Sequence, residues 1–351
     1  MKVSAAGLAL LFIASAATPP LAADPEQPVY DEGGEWQGRY RPYFDPILAE
    51  PRAALMKFMI GSIDEYNFAE NTGSRLGMDI SVGKEIPAIG YDGESDNGAK
   101  WGVGLWAPVG WHMLWDLEES SLPIVNNDYQ FGGMIKSHMS LNGKDYFGLR
   151  LYAGHESTHL GDELTLRGSA TVDDFERINV SYEFWDVALG YEKRESNERK
   201  WAARIGVKGL IKPSKGFYSS DPSETDGREI PGSSEHLEPY LGFEFRSHEA
   251  LFKDTKYRGS YLRNIFGSQA PFISVDLRYN VLFDYQRSRE NEDEDHRLSV
   301  NILAGLWEAK KKGEESRLPT VCIRLYHGVN PHGQFRDQDD YTMIGLAFVT
   351  Q

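Results

Sequence analysis

The chain has a single cysteine, Cys322, so no intrachain disulfide can form. After its first residues it has no run of ~18 consecutive apolar residues, which leaves no transmembrane helix to expect. It has no excess of positive charge. A formal net charge of −16 disfavours nucleic acid as a partner and fits an acidic, solvated loop surface. It has no Gly-rich phosphate loop and no dinucleotide fingerprint. A membrane survives these absences, because a barrel strand needs only about 9–11 residues with every second one apolar.

What is present begins with an export signature. Lys2 supplies a basic start, an apolar stretch follows from Ala5 to Ala17, and small residues at Ala22 and Ala23 suit cleavage. We therefore expect a signal peptide over 1–23, an N-terminal periplasmic segment over 24–54, and one domain over 55–351. The chain is rich in glycine and in tyrosine, phenylalanine and tryptophan (35 Gly, 18 Tyr, 17 Phe, 8 Trp), and Tyr and Trp suit a membrane interface because each has an apolar ring and a polar tip.

Period-two alternation recurs along the chain and marks strands with unlike surroundings on their two faces. Expected strand cores are 55–63, 75–84, 101–115, 128–140, 144–157, 176–192, 200–212, 238–248, 272–285, 296–308, 319–328 and 340–349. In the ninth, Ile273, Val275, Leu277, Tyr279, Val281, Phe283 and Tyr285 oppose Ser274, Asp276, Arg278 and Asn280. In the eighth, Leu241, Phe243 and Phe245 oppose Gly242, Glu244 and Arg246. The pattern predicts an all-β fold: a closed antiparallel transmembrane barrel of about twelve strands, with short helical segments in loops at 45–57 and 250–266. Arg150, Arg204, Arg246, Arg278 and Arg324 fall on the lumen face, where Glu244, Asp276 and Glu183 can pair with them. Trp101, Trp106, Trp111 and Trp115 suit interface belts. Cys322 falls with inward Thr320 and Arg324 and reads as an inert thiol. The expected partners are outer-membrane lipids and the barrel-assembly machinery, and the expected location is the bacterial outer membrane.

Loop lengths orient such a barrel, since bacterial barrels have short periplasmic turns and long outer loops. An outward-running first strand makes 140–143 and 194–199 periplasmic turns and sends 158–175 and 213–237 outside. Two connections, 85–100 and 249–271, are long for inner turns. Parity then gathers His155, Ser157, His159, Asp162, Glu176, Asn330, His332, Gln334, Arg336 and Asp337 at the outer rim.

Four segments carry a resemblance: Pro46 to Arg52, Asn127 to Tyr129, Gly154 to Glu163, and Gly333 to Arg336. With them the chain resembles the bacterial family catalogued as domain of unknown function 1207, whose members are predicted outer-membrane barrels. The resemblance implies fold and location and carries no activity.

The run from Gly154 to Glu163 supports three chemistries. First, Phe147, Leu149, Leu151 and Ala153 form an apolar strand face that His155 and Ser157 continue. That places a base and a nucleophile beside lipid, with Asp162 or Glu176 to orient the imidazole. The pair is similar in spacing and facing to the His-x-Ser of two membrane-barrel lipases, outer-membrane phospholipase A and lipid A deacylase. Second, His155-Glu156-Ser157-Thr158-His159 matches the His-Glu-x-x-His zinc pattern. That chemistry needs a helix; in a strand the two histidines lie about 13–14 Å apart. A loop site of His159, Asp162 and Glu163 for Ca²⁺ or Zn²⁺ is a weaker form of the same idea, and no cofactor is otherwise expected. Third, the polar rim only braces loops or headgroups, and the barrel is an anchor or narrow channel.

Overall fold

The computed structural model describes residues 35–37, 44–64, 74–118, 124–160, 180–195, 198–213, 237–250, 269–281, 297–308, 320–336 and 340–350. The strands are β1 (Glu35–Gln37), β2 (Met56–Asp64), β3 (Arg75–Glu94), β4 (Lys100–Asp116), β5 (Ile124–Ser140), β6 (Asp145–Leu160) and β7 (Val180–Glu195). They continue with β8 (Glu198–Pro213), β9 (Leu237–Arg246), β10 (Gln269–Tyr279), β11 (Leu298–Glu308), β12 (Thr320–Gly328) and β13 (Tyr341–Thr350). From β2 to β13 each strand pairs antiparallel with the next. β13 returns to β2 in register from Thr342↔Asp64 to Thr350↔Met56 and closes a twelve-stranded barrel. β1 adds to the far end of β3. Closure leaves no free edge on the cylinder.

Exposure follows the strand period in the sense that a lipid-facing wall requires. Leu237, Leu241, Phe243 and Phe245 on β9 are exposed, whereas Glu238, Tyr240, Glu244 and Arg246 are buried. β10 repeats this with Ile273 and Leu277 outside and Ser274 and Asp276 inside. A water-soluble protein has the opposite arrangement, so this is a barrel of the outer-membrane type. Aromatic rings mark both ends of the apolar band. Phe147, Tyr191 and Trp201 form one contacting set, and Trp111 stacks on Tyr129 in another. Ten residues of β6 separate Phe147 from Ser157, the partner of Tyr129. That is about 34 Å of strand, or about 25 Å of height at the 35–45° tilt common to membrane barrels.

Residues 44–55 pass through the lumen. Phe44, Ile47, Leu48 and Ala49 are buried, and the wall's side chains bond the segment's backbone. The N–H of Leu48 donates to Glu244, that of Ala49 to Ser274 Oγ, and Asn301 donates to the carbonyl of Ala49. Arg199 and Arg204 donate to the carbonyl of Asp45. Glu50 pairs with Arg150 at 3.0 Å and with Arg204 at 3.1 Å. A helix expected over 45–57 is therefore absent: backbone groups that a helix would satisfy internally are satisfied by the barrel wall. The 44–54 part of the segment expected in the periplasm lies inside the barrel. The 1–23 signal segment and most of the 250–266 helix lie outside the described residues. Among the described residues the one helical piece is a 3₁₀ turn, Gly333–Phe335.

Two further expectations shift. The long inner turn expected over 85–100 shrinks to 95–99, because β3 runs on to Glu94. The ninth expected strand stops at Tyr279. Val281 turns inward, its N–H donating to Glu238 and its carbonyl accepting from Arg336.

The lumen wall is notched for its contents. Gly148 and Gly190 are register partners, and a Cβ on either would overlap the ring of Phe44. Overpacking a formed core typically costs about 1–3 kcal/mol. Gly190→Leu should therefore lower the unfolding midpoint in urea, and Phe44→Ala added to it should restore part of the loss. Additive losses in the double variant would contradict the notch.

Candidate functional site

On β6 the alternation sends Tyr152, Glu156 and Thr158 into the lumen and Leu151, Ala153, His155 and Ser157 outward. On β7 it sends Tyr182, Phe184 and Asp186 inward and Ser181, Glu183 and Trp185 outward. The register sets His155 opposite Glu183 and Ser157 opposite Ser181. Four polar side chains thus meet on the outer wall. His155 Nε2 lies 3.2 Å from Ser181 Oγ, and His155 Nδ1 lies 3.6 Å from Glu183 Oε1. The line reads hydroxyl, imidazole, carboxylate. Phe131 packs on the imidazole at 5.2 Å between ring centroids. The side chains of His155 and Glu183 are 28% and 53% exposed, so the line is open to whatever surrounds the wall.

His155 and Ser157 face outward, as strand parity implies, but the hydroxyl on the imidazole belongs to Ser181 across the strand pair. Glu183, expected in the lumen, stands outside behind the imidazole. The parity that favoured Glu176 is reversed on β7. Tyr182 and Phe184 are apolar and point inward, where Phe184 packs edge-on to Tyr152 and under the Lys208 ammonium. In a filled barrel both faces of a strand carry apolar residues, so hydrophobicity alone does not assign the face. Glu176, Asp162, Glu163 and Asp337 lie outside the described residues. His159 lies on β6 opposite Asn127.

The helix that the zinc reading through His155-Glu156-Ser157-Thr158-His159 requires does not form. The motif is strand throughout, and His155 and Glu156 point to opposite sides of the wall. Among the described residues no group of three or more His, Cys, Asp or Glu is placed to hold a metal ion.

The inner face of the same strands holds a second cluster. Arg52 Nη2 lies 2.6 Å from both Asp128 Oδ2 on β5 and Glu156 Oε1 on β6. Lys208 Nζ reaches Glu156 Oε2 at 3.5 Å. The 329–336 loop folds into the lumen above them. The N–H of Gly333 donates to Asp128 Oδ2 at 3.3 Å, and Arg336 pairs with Glu238. His332 stands between Asp79 and Asp128, 3.7 Å from each. Asn330, His332 and Arg336 are buried, so the outer-rim grouping expected for them with His155 does not form. Gln334 lies in the 3₁₀ turn of that loop. The wall separates the two clusters.

All four segments behind the family resemblance converge on this point: Arg52 from the first, Asp128 from the second, Glu156 from the third, Gly333 and Arg336 from the fourth. A family described as protein of unknown function (DUF1207) matches residues 39–207. That stretch of the chain belongs to the family. Three of the four converging segments lie within the DUF1207 match, and Gly333 to Arg336 lies beyond it. No curated protein matches the sequence. Among solved structures the chain is similar to outer membrane phospholipase A from Escherichia coli, at 10% identity and TM-score 0.44, over 86% of this chain and 93% of that one. It is also similar to the transport unit of the autotransporter AIDA-I from Escherichia coli, at 11% identity and TM-score 0.35, over 88% and 93%. A third is the β domain of the Bordetella autotransporter BrkA, at 12% identity and TM-score 0.32, over 84% and 96%. At such distances none of their chemistry carries to this chain.

The His332 imidazole has a pH consequence. Burial alone would lower its pKa, but Asp79 and Asp128 outweigh burial and raise it above the ordinary histidine value. A raised pKa stabilises the fold fully below the unfolded value, and that contribution fades as pH climbs through the folded one. As pH rises above the ordinary histidine value of about 6.5, the urea midpoint of the wild type should fall more than that of His332→Gln. Parallel curves for the two proteins would show that His332 is not held as an imidazolium.

Proposed function

We propose that this protein resides in the bacterial outer membrane and that its working surface is the outer wall, where it hydrolyses acyl esters of outer-leaflet lipid. The observation that carries the reading is the line from Ser181 Oγ through His155 to Glu183, at 3.2 and 3.6 Å. Three features support it. The line stands on the exposed face of the barrel and beside aromatic rings of the interface type. It lies toward the end with the connections 161–179 and 214–236, whereas the other end has the short joins 95–99, 141–144 and 196–197 together with the longer 247–268 and 309–319. The lumen is filled by residues 44–55 and 329–336, which argues against an open pore.

In this reading Ser181 Oγ attacks the ester carbonyl while His155 Nε2 takes its proton. The tetrahedral intermediate collapses, and the imidazolium returns the proton to the leaving alcohol. Water, deprotonated by the same nitrogen, then attacks the acyl carbonyl, and the imidazolium returns the proton to Ser181 Oγ as the carboxylic acid leaves. Glu183 holds the tautomer with a proton on Nδ1 and stabilises the imidazolium. A 3.6 Å separation is within the looser geometry of sites without substrate. Ser157, directly across from Ser181, is the other hydroxyl within the site, and the sequence motif alone favours it as nucleophile. The hydrogen bond to His155 favours Ser181. A second reading, a non-enzymatic anchor barrel with a braced polar wall, is favoured by the filled lumen.

Purified protein in mixed micelles with phospholipid or lipid A separates the two. Ser181→Ala and His155→Ala should each lower turnover by about 10³-fold or more, and Ser157→Ala by far less. Equal turnover in the wild type and Ser181→Ala would leave the anchor reading.

A further inference from the structure

Residues 155–157 serve both sides of the wall in succession. His155 and Ser157 face out, and Glu156 between them faces in and is buried. Glu156 is held by Arg52, whose same nitrogen also holds Asp128, each at 2.6 Å. Asp128 lies one residue from Tyr129 and three from Phe131, the ring that packs on His155. One guanidinium therefore ties β5 to β6 from behind, where His155 meets Phe131 in front. The Lys208 contact on Glu156 is longer, 3.5 Å, and comes from β8 across β7, the strand that carries Ser181 and Glu183. Arg52 itself is not part of the wall. It sits on the lumenal segment, which Glu50 anchors to Arg150 and Arg204.

Removing the Arg52 charge leaves Asp128 with His332 at 3.7 Å and the Gly333 N–H at 3.3 Å, and Glu156 with the Lys208 ammonium at 3.5 Å, but none of these three bridges the two carboxylates. Like charges in a low-dielectric site repel strongly. The repulsion lowers stability, and the loss of the tie itself frees β6 to move relative to β5 at Glu156, with its neighbours in the chain moving too. A lysine supplies charge without the paired geometry of a guanidinium but keeps the repulsion neutralised.

We propose that Arg52 is a positioning residue for the outer site: the lumenal segment, through Asp128 and Glu156, holds β6 where His155 meets Ser181. This rests on the hydrolytic reading above. It makes the lumenal segment a control element for chemistry on the opposite side of the wall.

The test is the rate at which a fluorophosphonate labels Ser181 in the full-length protein in detergent, followed across pH. Arg52→Met should lower the rate about tenfold or more and move its pH midpoint, since small displacements of reacting groups are costly. Arg52→Lys should stay within about threefold of wild type. The charge-neutral variant Arg52→Met/Asp128→Asn/Glu156→Gln removes the repulsion and should recover the urea midpoint. Positioning predicts that its labelling remains slow; a merely structural role predicts that labelling recovers with stability. Wild-type labelling rates in folded Arg52→Met, or in the triple variant, would overturn the proposal. A wild-type protein whose Ser181 is not labelled at all would instead overturn the hydrolytic reading, and this inference with it.

Discussion

The pairing of β13 with β2 is the constraint on which the rest depends. It turns an open meander into a cylinder in which neighbouring strands satisfy each other's backbone groups. Only then can Leu241, Phe243, Ile273 and Leu277 stand exposed on the outside without an adjacent edge that invites further strands. Closure also creates an inside, and a wall of twelve strands encloses more space than its own side chains fill. Residues 44–55 and 329–336 occupy that space.

How they occupy it is a matter of charge pairing as much as packing. Ile47, Leu48 and Ala49 join a buried cluster with Phe272, Leu303, Trp307 and Met343 from the wall. Next to this dry region run ion pairs: Glu50 with Arg150 and Arg204, Arg52 with Asp128 and Glu156, Arg336 with Glu238, Arg324 with Asp79. Buried pairs of this kind add little net stability, but each is expensive to break, because the remaining partner is left charged and unsolvated. The network therefore specifies one arrangement of strap, loop and wall. Arginine suits this task, since one fork can hold carboxylates from two strands at once.

Strand period gives β6 its double role. Adjacent residues face opposite sides, so a motif of five consecutive residues contributes to two unrelated environments. His155 and Ser157 belong to the outer wall, and Glu156 and Thr158 belong to the lumen. The outer line is completed by Ser181 and Glu183 from β7, brought into contact by the β6–β7 register. The inner cluster is completed by residues from either end of the chain. Each face is chemically coherent only after the strands are paired.

Alternation on β8, β9 and β10 was legible because one face there is uniformly apolar and the other carries Arg204, Glu244 or Asp276. It misled on β7, where Tyr182 and Phe184 are apolar yet point into a lumen that is locally dry. The run from Pro46 to Arg52 was visible as a motif but not as a lumenal strap, since most of its hydrogen-bond partners lie some 75 to 250 positions away in the chain. Strand content, spacing, the absence of a membrane helix and the outward facing of His155 and Ser157 were determined by the sequence alone, because each depends on residues within a few positions of one another. The tertiary structure alone decided that Ser181 meets His155, that Glu183 stands behind it, and that Arg52 clasps Asp128 and Glu156. Those contacts depend on register and closure, and local pattern does not encode which distant strand comes to lie alongside.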